Sequence, residues 1–225
     1  MVKAVLFDID GTLVDSVDLH ARAWQEAFAK FGHDIPYEKI RSQIGKGGDQ
    51  LLPKFLSPEE QKEHGKQLEE HRGELFKAKY MSQVKPLPRV RELLERVKKD
   101  GKQLALASSA KQDEIAIYKR IANIEDLVEE ETSSDDAKRS KPHPDIFEAA
   151  LERLHDVSAA EAVTVGDSPY DAIAAGKIKM KCIGVLSGGF SEGDLRAAGC
   201  SAIYRDCADL LDHYDQSLLA SKRAA

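Results

Sequence analysis

The stretch Val5-Leu6-Phe7-Asp8-Ile9-Asp10-Gly11-Thr12 constrains this chain more than any other. Its short apolar opening reads as a strand buried on both faces, the kind found inside a parallel sheet. Two aspartates then follow two positions apart, with a glycine directly after. Residues two apart on a strand can share a side, so both carboxylates can approach one spot at the strand's end. Gly11 suits the sharp exit the chain makes there. Buried acids are costly unless a positive group sits beside them, and Mg²⁺ suits a set of hard oxygen donors. Read in isolation, Asp-Gly is also a common turn dipeptide.

The rest of the chain weighs against the plain turn. Val17, Ala21, Trp24, Phe28 and Phe31 recur at helical spacing, and the helix they mark ends at Gly32. His20 lies on or beside that apolar face, where a histidine is ordinarily a packed, hydrogen-bonded neighbour. A short helix from Pro36 to Ser42 precedes the glycine-rich break Ile44-Gly45-Lys46-Gly47-Gly48-Asp49. That break lacks the preceding strand, and the hydroxyl residue after lysine, of a nucleotide-binding loop. It reads as a helix-to-helix connection, or as a mobile loop offering Lys46 to an anion. Ser57-Pro58 starts a charged helix to about Tyr80, its charges read as a solvated face. Nothing between Val17 and Tyr80 resembles a strand, so this segment is one helical module.

After Val84-Lys85-Pro86-Leu87-Pro88 the pattern changes to strands alternating with helices. Strands are expected at Leu104–Ala107, Leu127-Val128, Ala162–Val165, Cys182–Val185 and Ser201–Tyr204. Helices are expected at Arg89–Lys99, Asp113–Ala122, Asp145–Leu154, Asp171–Ala175 (stopping at Gly176) and near the C-terminus. The acids of Glu129–Glu131 and Asp135-Asp136 read as a solvated loop. Alternation of this kind predicts an α/β protein with a parallel sheet, whose site lies outside the carboxyl ends of its strands. Three strand ends carry polar groups: Asp8 and Asp10, Ser108 and Ser109, and Asp167 with Asp171. Lys141 precedes a helix, where a connecting loop can return it to the same edge.

Bulk properties narrow the partners. An apolar share of 42% over 225 residues supports one large domain or two small ones and excludes a disordered chain. A net charge of -6 offers no footprint for nucleic acid or an acidic membrane. No run of about 18 apolar residues is present to cross a bilayer, and the first residues lack signal-peptide architecture. Cys182, Cys200 and Cys207 are odd in number and lack metal-site spacing, so they read as small core residues in a reducing compartment. A cytoplasmic protein is expected. A monomer is favoured, with a dimer left open.

Taken together, Asp8-Ile9-Asp10-Gly11-Thr12, Ser108, Lys141-Pro142 and Gly166-Asp167-Ser168-Pro169-Tyr170-Asp171 resemble, in order, the four motifs of the haloacid dehalogenase superfamily. The resemblance covers nearly the whole chain. It implies a Rossmann-like parallel-sheet core, residues 1–15 and 84–225, with a small all-helical cap at 16–83 of the kind found in phosphoglycolate phosphatases, hexose-phosphate phosphatases and β-phosphoglucomutase. It implies Asp8 as nucleophile towards a phosphate ester and Asp10 as general acid/base. Mg²⁺ would be held by Asp8, the Asp10 backbone carbonyl and Asp167, with Asp171 supporting that shell. Ser108, Ser109 and Lys141 would hold the other phosphoryl oxygens. Dehalogenases of this superfamily lack the second aspartate, so Asp10 argues for phosphoryl transfer. The substrate would be a small phosphorylated metabolite, with His20 and Lys46 on the cap side of the site.

Rival readings remain. His20, Trp24 and Ala105-Leu106-Ala107-Ser108 with Lys141-Pro142 match β-phosphoglucomutase, a phosphosugar mutase. Yet Asp49 stands where that enzyme's loop has an arginine for the second phosphate, which favours hydrolysis. Response-regulator receivers also use an aspartate, Mg²⁺, a hydroxyl and a lysine, but their acceptor is not on the first strand and they carry no cap. A non-catalytic relative is the third alternative, and the full acid–hydroxyl–lysine–acid set leaves it little room.

Overall fold

The computed structural model describes residues 1–220. A six-stranded parallel sheet runs through it, built from β1 (Ala4–Phe7), β4 (Gln103–Ala107), β5 (Glu130–Thr132), β6 (Ala162–Gly166), β7 (Lys181–Val185) and β8 (Ala202–Tyr204), in the order β5-β4-β1-β6-β7-β8. The first strand is therefore central. Phe7 is level with Leu106 on one side and Val165 on the other. That register brings the residues just past β1, β4 and β6 to one edge.

The two faces of the sheet divide by the strand period of two. Val5, Phe7, Leu104, Leu106, Val163 and Val165 point into one core, packed with α6 (Val90–Lys99), α7 (Gln112–Ala122) and α11 (Cys207–Asp212). Ala4, Leu6, Ala105, Ala107 and Ala162 point into the other, against α8 (Asp145–Arg153), α9 (Pro169–Lys177) and α10 (Glu192–Ala198). Alanines dominate the strands on this second face, which leaves room for Phe147 between helix and sheet. All three cysteines are buried and free of disulfides, as expected of small core residues.

Between β1 and β4 the chain first forms a two-stranded antiparallel ribbon, β2 (Val14–Asp15) with β3 (Lys85–Pro86). Everything enclosed by that ribbon is helical: α1 (Val17–Lys30), α2 (Tyr37–Arg41), α3 (Gly48–Leu51), α4 (Pro58–Glu60) and α5 (Lys66–Leu75), with short tighter or wider turns between and after them. The apolar stripe of α1 packs into a third core with Ile40, Leu51, Leu56 and Leu68. The charged helix expected from Ser57 to Tyr80 forms, but two five-residue π-helical turns interrupt it, at Gln61–Gly65 and Phe76–Tyr80. Ser57 caps it in a reciprocal box with Glu60.

Three local expectations need correction. Leu127 and Val128 are not a strand. They pack as half-buried side chains against the core, and the strand lies at Glu130–Thr132. An edge strand tolerates acids because one side of it meets solvent, and Glu131 there pairs with Lys119. The same strand replaces the loop expected at Glu129–Glu131. Finally, α9 runs through Gly176 to Lys177, where a stop at Gly176 was expected. No helix among the described residues is long and apolar enough to cross a membrane. Residues 221–225, part of the expected core segment, lie outside the described residues.

Candidate active site

Asp8 follows β1, Asp167 follows β6, and Asp171 sits in the first turn of α9. Each offers a carboxylate oxygen, and the three oxygens lie within 4.8 Å of one another. Local structure fixes Asp171: its Oδ2 accepts from the Ser168 backbone N–H at 3.2 Å and the Ser168 hydroxyl at 2.6 Å. Lys141 arrives from the loop before α8 and is 1% exposed. Its ammonium donates to Asp8 Oδ1 at 2.5 Å and to the Ala107 carbonyl at 2.9 Å, and lies 2.7 Å from Asp171 Oδ1. A lysine so deeply buried needs such partners, since a lone buried ammonium would shed its proton.

Burial is the main cause that pushes the Asp8 carboxyl up, to about 7; the Asp171 and Asp10 charges add to it, and Lys141 opposes them. Burial first, then the charges of Asp8 and Asp171, pushes Asp167 well above the ordinary carboxylate range. Burial works against the charge on Lys141, but Asp171 and Asp8 overcome it and raise its pKa. Three acids thus face one ammonium, and Asp167 Oδ1 is buried without a hydrogen-bond partner among the described residues. Two glycines press on the same carboxylate. A Cβ at Gly188 would stand 1.6 Å from Asp167 Oδ2, and one at Gly11, whose φ is +76°, would stand 2.5 Å from it. An excess of buried carboxylate oxygen, one atom of it unpartnered, fits a hard divalent cation.

Asp10 belongs to a separate cluster beside this one. Its Oδ1 accepts from the Ser16 hydroxyl at 2.5 Å and lies 3.0 Å from His20 Nε2. Burial opposes its ionisation, but the charge and hydrogen bond of His20, with Ser16, hold it below its ordinary value. The side chain of Asp10 is absent from the group of three, which leaves its backbone carbonyl as the atom it would lend a metal. His20 is stacked flat on Phe76, with centroids 3.9 Å apart and planes 6° from parallel. Both readings of His20 therefore meet: it is packed, and it touches Asp10. The Ser108 hydroxyl accepts from the Ala110 N–H at 3.1 Å, whereas the buried Ser109 hydroxyl has no partner among the described residues.

A cavity of about 230 Å³ opens over these groups, lined by Asp8, Asp10 and Ser109 below and by Trp24, Lys46 and Arg72 above. Lys46 reaches its wall, donating to Gln43 at 2.5 Å and lying 4.4 Å from the Tyr170 ring. Burial, then the nearby Lys54, pushes its amine down to about 8. Polar contacts join the helical insertion to the sheet and its helices, Lys77 with Asp113 and His20 with Tyr118 among them. Arg41 donates to the Gly188 carbonyl, the Ser140 N–H donates to Asp49, and the Tyr170 hydroxyl donates to the Ser42 carbonyl.

Sequence reasoning missed several of these groups. Glu69 and Arg72 looked like part of a solvated helix face, yet both line the cavity. Arg72 Nε is buried without a hydrogen-bond partner among the described residues, and its guanidinium lies 5.0 Å from the Trp24 ring. The available signal was spacing: Arg72 falls one turn before Phe76, the residue that meets His20. Ser16 precedes α1 without capping it, and its hydroxyl is spent on Asp10. Tyr118, 3.1 Å from His20 Nε2, gave no signal at all, whereas Thr12, 3.4 Å from Asp8 Oδ2, closes the first motif.

Acids, hydroxyls and one lysine thus gather at the carboxyl edge of an α/β sheet, the edge where such sheets place their sites. The family described as haloacid dehalogenase-like hydrolase matches residues 5–185. Phosphoglycolate phosphatase of Yersinia pestis is 32% identical over 220 residues, covering 93% of this chain and 92% of that one. Protein SUPPRESSOR OF QUENCHING 1, chloroplastic, of Arabidopsis thaliana is 31% identical over 213 residues; the match covers 93% of this chain and only 20% of that longer protein. The crystal structure of a hydrolase from Pseudomonas syringae superposes with a TM-score of 0.86 at 30% identity, over 95% of this chain and 98% of that one. The chain belongs to the haloacid dehalogenase-like hydrolases. It is an enzyme of the phosphoric monoester hydrolase class.

Proposed function

We propose that the chain is a Mg²⁺-dependent phosphatase that moves a phosphoryl group from a small monoester to Asp8 and then to water. The observation that carries this reading is the Asp8 carboxylate, 2.5 Å from the Lys141 ammonium and lining the cavity between sheet and insertion. A phosphate ester repels an incoming anion, so a site for it must supply positive charge and hold attack in line. Lys141 supplies part of that charge. Asp8 attacks phosphorus and forms an aspartyl-phosphate, splitting one hard step into two. The Ser108 hydroxyl and the Ser109 amide hold phosphoryl oxygens, and the Ser109 hydroxyl beside them has no other partner among the described residues.

Asp10, a carboxylate at rest, takes up a proton from solvent before catalysis, donates it to the departing oxygen and then takes one from the attacking water. Both roles need a carboxyl held in one orientation, which Ser16 and His20 provide. Asp8, the Asp10 carbonyl and Asp167 would hold Mg²⁺, with Asp171 beside them. When bound, the ion neutralises charge that develops on the phosphoryl oxygens. Residues 16–83 act as a cap over a core of 1–15 and 84 onwards, with the β2–β3 ribbon as the hinge.

Hydrolysis is favoured over a mutase reaction by Asp49. Its carboxylate is occupied by the Ser140 N–H and would repel the second phosphate of a bisphosphate intermediate. The test is Asp8→Asn. The variant should fold, bind Mg²⁺ more weakly and release no phosphate from p-nitrophenyl phosphate above background. Retained release would remove Asp8 as nucleophile. Supplying glucose 1-phosphate separates the two outcomes of transfer, since a hydrolase yields free phosphate and a mutase yields glucose 6-phosphate.

A further inference from the structure

We propose that Tyr118 is a positioning residue: its hydroxyl orients His20, and through His20 the Asp10 carboxyl. The proposal rests on the reading of Asp10 as acid/base given above. Tyr118 lies on α7, on the flank of the sheet, and is 1% exposed. His20 lies on α1, within the insertion. The Tyr118 oxygen is 3.1 Å from His20 Nε2, and that same nitrogen is 3.0 Å from Asp10 Oδ1.

The chemistry of these three groups restricts how they share hydrogens. An ionised Asp10 carboxylate only accepts, so Nε2 carries the hydrogen and faces two oxygens at nearly equal distance. A single N–H between two acceptors has its direction set by both. Phe76 fixes the plane of the ring by stacking on it, and the two oxygens fix its rotation within that plane. Without the phenol oxygen, the second anchor is lost and the imidazole can turn. A buried hydroxyl is also costly unless it is bonded, and a phenylalanine would fill the same apolar space. The hydroxyl meets its partner across the boundary between core and insertion.

The experiment compares Tyr118→Phe with the parent enzyme on two esters, each with Mg²⁺. An alkyl monoester such as glycerol 2-phosphate leaves as an alkoxide and needs a proton. p-Nitrophenyl phosphate leaves as a stable phenolate and needs none. General acid catalysis is worth about 10²–10⁴-fold, and a misaligned acid forfeits part of that. The expected result is a loss of about tenfold in kcat/KM for the alkyl ester, with the aryl ester within about twofold of the parent. Tyr118→Leu, which also lacks the hydroxyl, should show the same split. Equal loss on both esters, or no loss on either, would overturn the proposal. Asp10→Asn is the reference: if it leaves alkyl turnover intact, the role of Asp10 itself fails. If it abolishes alkyl turnover while Tyr118→Phe does not weaken it, only the role of Tyr118 fails.

Discussion

Around Lys141, single side chains set the terms of the site. One ammonium, 1% exposed, bridges Asp8 and Asp171, while Asp167 stands beside them with an unpartnered oxygen. Removing one partner from a buried ion pair typically costs about 3–5 kcal/mol, because the other charge is left without compensation. Lys141 is therefore as much a condition of the fold at this edge as of the chemistry. The Asp167 carboxylate is placed from the opposite side by residues with no side chain at all. At Gly188 a methyl group would overlap Asp167 Oδ2, and at Gly11 it would crowd the same atom in a left-handed turn. Gly188→Ala should therefore displace Asp167 and weaken Mg²⁺ binding by about tenfold or more, the size of effect seen when a supporting group around a metal is altered. Titration calorimetry of Mg²⁺ into the variant measures this directly. Affinity equal to that of the parent would show that Asp167 is not held by this contact.

At the level of elements, the order of strands does most of the assembly. Because β1 lies between β4 and β6, the residues after all three emerge side by side, and the helices on either face only have to hold that edge rigid. The helical insertion is held to it by few contacts. The Arg41 guanidinium donates to the Gly188 carbonyl at 3.1 Å and to Asp18 at 2.6 Å, tying α2 to the loop that cradles Asp167. Arg41→Ala should loosen closure more than it alters the reacting groups, raising KM about three- to tenfold with kcat within about twofold, as loss of uniform binding does. Steady-state kinetics on one substrate reads the split, and a fall confined to kcat would contradict it. This scale also shows where sequence is legible. β1, β4, β6 and β7 stand out because a strand buried on both faces is a run of apolar residues with no competing period. β5 does not, because an edge strand need not be apolar, and Leu127-Val128 nearby copied the signal of a strand. Arg72 and Glu69 were equally hidden. A charged helix shows the same pattern whether it faces water or a cavity, and only the packing of α5 against α1 distinguishes the two.

For the whole molecule, the balance of charge at one edge links stability to a ligand. Asp8, Asp167 and Asp171 set three carboxyl groups against the one ammonium of Lys141, all of them buried. A cation that binds only the folded chain stabilises it by mass action, by about 2.7 kcal/mol at a hundred times its dissociation constant. For a chain of this size that corresponds to a rise in Tm of roughly 5–10 °C. Mg²⁺ should raise the Tm of the parent by that amount. Asp167→Asn removes a carboxyl that burial holds well above its ordinary range, so it should melt at or above the metal-free parent and respond to Mg²⁺ little or not at all. Differential scanning calorimetry with and without Mg²⁺ checks both statements, and an undiminished Mg²⁺ response in the variant would place the ion elsewhere. The parts of the site that were legible from sequence are those with short spacing within one segment: Asp8 with Asp10, Ser108 with Ser109, and Asp167 with Asp171. The contacts that join segments, such as Ser16 to Asp10 and Tyr118 to His20, follow from the fold and have no signature along the chain.

The account stands most directly on covalent capture of phosphorus by the first acid of β1's carboxyl end. Enzyme mixed with substrate and Mg²⁺ and quenched in acid within milliseconds should yield a peptide spanning Asp8 that is heavier by one phosphoryl group, and the adduct should be absent from Asp8→Asn. Turnover without any such adduct under the same quench, or an adduct on a different residue, would contradict the assignment.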